Sequence, residues 1–126
     1  MPSSYEINPI VELSQWSVYE VPLHGPGAPW TRHFVGYSEE QGLAQVSPAI
    51  LMFDPEHGVA ASASRRVFQL VGDSGRHPEA ERMWTRWKAL NALQHERDVT
   101  PGFFKAMFAR QGNALAAVAL QVSESV

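Results

Sequence analysis

The stretch from Ser47 to Leu93 constrains this chain more than any other, because it runs strand, turn, strand, turn, helix in one legible sweep. Ala49-Ile50-Leu51-Met52-Phe53 is apolar on both alternating sets, the pattern of a strand covered on both faces, and it predicts a central place in a sheet. Asp54-Pro55-Glu56-His57-Gly58 follows as a reversal, since Asp and Pro initiate turns and Gly58 accepts a positive φ. Arg66 to Val71 is rich in β-branched and aromatic residues, and the short connection makes it the antiparallel partner of the preceding strand.

Gly72-Asp73-Ser74-Gly75 breaks that strand, and Pro78 stands where a first helical position tolerates a missing N–H. A helix over about 78–92 follows. Ala80, Met83, Trp84, Trp87, Leu90 and Asn91 fall on one stripe, with Glu79 and Glu81 in the first turn and Lys88 near the end, as the helix dipole favours. Trp84 and Trp87 on that stripe read as core, and Asn91 as a helix-end cap.

Upstream, Trp16 to Val21 alternates and stops at Pro22, giving a first strand expected at an edge, and Trp30 to Tyr37 reads as a second. Pro48 interrupts Leu43 to Phe53 and predicts a bulge or a strand start near Ala49. The expected fold is α+β: an antiparallel meander of about four strands, with the 78–92 helix and a C-terminal helical region over about 101–121 packed on it. Thr100-Pro101 opens that region, which carries Phe103, Phe104, Met107 and Phe108 on one stripe. Ala114 to Val122 reads as a small-residue helix or a short strand, with the helix preferred. Residues 1–9 are expected as a disordered N-terminus, 10–122 as a single domain and 123–126 as a tail.

Length fits one domain able to bury a core without staples, and the absence of cysteine removes thiolate metal sites, iron–sulfur clusters, thiol nucleophiles and disulfides together. No charged-then-apolar leader opens the chain and no apolar run is long enough to span a bilayer, so the expectation is a soluble cytoplasmic protein without a membrane role. Charge is split: up to Ser64 seven acids face the single Arg32, and from Arg65 onward nine bases face six acids. The bases are interleaved with acids, which argues against nucleic acid as the partner.

Gly72-Asp73-Ser74-Gly75 resembles a fragment of serine-hydrolase nucleophile loops, with Arg76 where an elbow's last glycine would stand, and its Gly and Ser are explained by the turn alone. The same junction presents small residues at a helix N-terminus beside Arg76 and His77, so Arg66, Gly72, Ser74, Gly75, Arg76 and His77 form a candidate anion or nucleotide cleft. The five histidines show no ligand spacing; Asp54, Glu56 and His57 read as a solvated turn, and neither metal nor cofactor is expected. His33 reads as half-exposed sheet surface. The reading that absorbs most of these features is a small non-enzymatic interaction or assembly protein, an adaptor, inhibitor or structural component, whose partner is another protein or a second copy. Phe103, Phe104, Met107 and Phe108 are its candidate surface. The alternatives are ligand binding or catalysis at the 72–77 junction and, more weakly, single-stranded RNA stacking on Trp30, Phe34 and Tyr37.

Overall fold

A computed structural model of the protein describes residues 10–107. The elements in chain order are β1 (Val11–Val21), β2 (Thr31–Ser38), β3 (Leu43–Val46), β4 (Ile50–Asp54), β5 (Val59–Ser62), β6 (Val67–Leu70), α1 (Pro78–Leu90) and β7 (Arg97–Asp98). A second helix, α2, begins at residue 100 and is described through 107. Phe108, most of the expected 101–121 helical region, the Ala114 to Val122 segment and both expected termini lie outside the described residues.

The class is α+β, but the sheet corrects the expected four-stranded meander. Among the described residues seven strands run in the order β3-β2-β1-β6-β5-β4, with β7 also on β1, and the β1–β6 pair is parallel. The predicted places of two strands are exchanged: β1 is central and β4 is an edge. The partner of β4 is also different. An alanine-rich strand, β5, in which Val59 is the one β-branched residue, lies between β4 and β6 and pairs antiparallel with both. Pro48 does separate β3 from β4, as its missing N–H requires.

β1 holds the two halves of the sheet together. Val11, Glu12 and Leu13 pair with β6, whereas Ser17 to Val21 pair with β2. Between them the register slips, with Gln15 at φ 46°. Strict alternation would send Val11 and Leu13 to one face and Trp16 and Val18 to the other; the bulge keeps all four in one core. That inner core also takes Phe34, Phe68 and Leu70, and Phe103 of α2 closes it. Gly36 lies where β1 passes closest, a Cβ there standing 3.0 Å from the Leu13 Cβ and 3.2 Å from the Ser14 carbonyl.

The opposite face of β1–β2–β3 belongs to α1. Tyr19, Val21, Val35 and Ala44 meet Ala80 and Trp84 there. Tyr19 stacks on Trp84 at 4.9 Å, and Trp84 on Trp87 at 5.2 Å. The polar tips are satisfied: Trp84 Nε1 donates to Glu96, Lys88 pairs with the same carboxylate, and Tyr19 donates to Glu81. Burial and the nearby Glu81 charge push the Tyr19 hydroxyl well above the usual tyrosine range. Asn91 is the C-cap, as expected, donating Nδ2–H to the Trp87 carbonyl. Met83 and Leu90 are exposed, so the buried stripe of α1 is narrower than the sequence pattern.

Candidate functional site

The junction from Gly72 to His77 is stitched to β1. Trp16 Nε1 donates to the Gly72 carbonyl at 3.1 Å, the Ser17 hydroxyl donates to the Gly75 carbonyl at 2.5 Å, and Gly75 N–H returns to the Trp16 carbonyl at 2.9 Å. His77 is the N-cap of α1: its Nδ1 accepts from Glu79 N–H, and its ring stacks on Tyr37 at 4.3 Å. Arg76 pairs with Asp98 at 2.7 Å and lies 3.6 Å from Glu81. The cation next to the helix N-terminus is therefore engaged by two acids, and the N-terminal donor is engaged by an imidazole. Arg66 is drawn elsewhere, with its guanidinium over the Phe68 ring. Of the six residues expected to gather here, Gly72 alone lines the neighbouring cavity of about 480 Å³, whose charged walls are Glu12, Asp73 and His57.

The phenylalanine stripe is divided. Phe103 is buried and packs edge-on against Phe34 at 5.8 Å, whereas Phe104 is partly exposed and lies 6.5 Å from Trp16. Met107 packs against the inner core, its tip closing on Gly58. Trp30, Phe34 and Tyr37 share no stacking face: Phe34 is inside the inner core, Tyr37 lies on His77, and Trp30 lies under the Arg97 guanidinium at 3.9 Å.

His33 is buried, not half-exposed. Its Nδ1 lies 2.9 Å from the Ser47 carbonyl, which makes that nitrogen the protonated one, and its Nε2 accepts from the Thr31 hydroxyl at 2.7 Å. Desolvation lowers its pKa, partly opposed by the Ser47 hydrogen bond, and the His24 charge lowers it further. The hydroxyl–imidazole contact has the form of a base and its nucleophile, but the ring is sealed under Trp87 at 4.6 Å and serves packing. In the β4–β5 turn, ligand atoms of Asp54, Glu56 and His57 lie within 4.8 Å of one another, all on exposed residues. Asp54 and His57 are hydrogen-bonded at 2.7 Å, which lowers the carboxyl pKa and raises that of the imidazole.

The surface that sequence reasoning missed is the outer face of β4–β5–β6. Phe53, Ala60 and Phe68 point inward, so alternation sends their strand neighbours outward. The register places Met52 beside Ala61 and Ala61 beside Val67, an apolar row across three strands. The next row, Asp54, Val59, Gln69 and Glu12, is mostly polar. A second bulge, between Ile50 and Met52, re-aims Leu51. Consecutive residues Leu51 and Met52 are consequently both outside, at 69% and 72% exposure. The described parts of α1 and α2 pack in the two cores and not on this face. The signal was present in the sequence: a strand apolar on both sets needs a cover on both sides, and the cover need not come from the same fold.

No family model, no curated protein and no solved structure matches the chain. Among the described residues, no helix is long and apolar enough to cross a membrane.

Proposed function

We propose that this chain is a non-enzymatic interaction or assembly protein and that the outer face of β4–β5–β6 is its binding surface. One observation carries the reading: an in-register apolar row, Met52, Ala61 and Val67, with Met52 solvent-facing, lies on the side of the sheet that the described parts of the two helices do not pack against. Apolar side chains contiguous on one sheet face, here the exposed Met52 with the half-buried Ala61 and Val67, mark an interface more often than scattered exposed residues do. The phenylalanine helix is the lesser surface, because Phe103 is spent on the inner core and Phe104 and Met107 remain at its margin.

The test compares proteins retained by the immobilised chain with those retained by Met52→Lys. The reading requires a specific partner, or the chain itself, to be lost with the substitution. Identical retention by both would contradict it.

A second reading, ligand binding beside Gly72, is favoured by the cavity of about 480 Å³ there. Its carboxylates, Glu12 and Asp73, change the preferred charge from the anion expected at the junction to an organic cation. A polyamine that raises the melting temperature where phosphate does not would support it, and indifference to both would remove it.

A further inference from the structure

An occupant of the β4–β5–β6 face has to match an apolar row flanked by unlike charge at the two strand ends of the face, and the chain itself is such a surface. Arg65 stands in the β5–β6 turn at one end, exposed and in no ion pair among the described residues. Beyond the row at the other end stand Glu12 and, in the β4–β5 turn, Glu56, both exposed and likewise in no ion pair among the described residues. Arg66 shares the turn with Arg65, but its guanidinium is laid over Phe68.

We propose that this face binds a second copy of the chain, the two sheets meeting about a two-fold axis that runs along the Met52–Ala61–Val67 row; the proposal rests on the interaction reading above. Charge selects the axis. A two-fold along the row reverses strand direction between the copies, so Arg65 of each lies over the end where Glu12 and Glu56 of the other stand. A two-fold along the strands would stack Arg65 on Arg65 and acids on acids, which costs affinity. An isologous contact also sets each row residue against its own counterpart. Ala61, small and central, then meets Ala61 and allows the usual sheet separation of about 10 Å. Met52 of each copy closes one margin of the contact.

The size of the patch sets the strength. Three strands about 4.8 Å apart, each contributing about four residues at roughly 3.3 Å, span some 14 by 13 Å, well under the ~800 Å² per partner of a standard interface. The dimer is consequently weak and forms toward the upper micromolar range.

Sedimentation of the full chain across low to high micromolar concentration tests this, with circular dichroism confirming that each variant is folded. The expected result is a monomer that becomes a dimer on concentration, and a monomer throughout for Ala61→Arg and for Met52→Lys. Arg65→Glu should weaken the dimer several-fold, and adding Glu12→Arg should recover it. Because the chain has no cysteine, Ala61→Cys carries one thiol. A short bismaleimide should link it at least about tenfold faster than Thr85→Cys on the exposed side of α1. A wild-type chain monomeric at every concentration overturns the proposal, as does a dimer indifferent to Ala61→Arg and Met52→Lys or one that links no faster at residue 61. A dilute monomer whose Met52 resists peroxide also overturns it, by showing the face covered by the chain's own residues outside 10–107. If a monomer instead captures another protein through Met52, self-association falls while the interaction reading stands; with no capture, both fall.

Discussion

The outer face of β1–β2–β3 and the outer face of β4–β5–β6 belong to one sheet, joined through β1, yet they are finished in opposite ways. The first is sealed by α1 with a stack of Tyr19, Trp84 and Trp87, in which the Tyr19 hydroxyl and the Trp84 indole N–H each find an acid. The second has alanine, valine and methionine in register and no described element on it. Large rings with satisfied polar tips are what a fold uses for a permanent contact, while small side chains ringed by unlike charges suit a contact made and broken in solution. The difference teaches that the apolar residues of this chain divide between those that make the fold and those left for a partner.

The sharpest way to break the contrast is to truncate each side in turn. Trp84→Ala should cost about 3–5 kcal/mol of unfolding free energy in urea, since it removes a buried ring. Met52→Lys should change stability by no more than about 0.5 kcal/mol, as for a solvated position. Equal losses would mean that the two faces are equally integrated.

Gly58 tests the turn where the β4–β5 hairpin meets α2. Its φ is 67°, and a Cβ there would stand 2.9 Å from the Met107 tip and 3.3 Å from the Leu70 carbonyl. Gly58→Ala should cost about 1–2 kcal/mol, mostly from the left-handed backbone. A neutral result in urea would show that the turn relaxes.

The sealed face should also respond to acid. His33 has its pKa lowered in the fold, so below the unfolded value of 6.5 the unfolded chain binds the proton first and stability falls as pH drops toward the folded pKa. His57 acts with the opposite sign, because Asp54 raises its pKa, but its exposure makes it the smaller contributor. Chemical denaturation at about pH 7.5 and about pH 5 should show the loss in wild type and a shallower slope in His33→Gln. An unchanged slope would mean that His33 ionises as freely folded as unfolded. The smallest effect belongs to Arg76→Ala, less than about 1 kcal/mol for exposed ion pairs. Phosphate should leave the melting temperature of wild type unmoved, since Asp98 and Glu81 already engage that guanidinium.

Local signals in this chain specify its helix, and distant pairings specify its sheet. The limits of α1 were legible because Pro78 and the 3.6-residue stripe lie within the segment itself, and the cap at Asn91 follows from the same run. The positions of β1 and β4 were exchanged because the parallel β1–β6 pairing joins residues more than fifty positions apart and leaves no local mark. β5 escaped notice because Val59-Ala60-Ala61-Ser62 has little strand propensity of its own. At the junction, Arg76 and His77 were correctly placed beside a helix start, but their partners Asp98 and Tyr37 come from elsewhere in the chain. The apolar pattern of β4 was plain, and its meaning turned on which surface faces Leu51 and Met52.

That question is met most directly by the rate at which peroxide oxidises Met52, followed by mass spectrometry as protein concentration is raised. Met52 should react in dilute solution about as fast as a free methionine and become protected on concentration, while the packed Met107 stays slow throughout. A Met52 already protected at dilution, or equally reactive at every concentration and in the presence of every captured protein, would contradict the proposed binding surface.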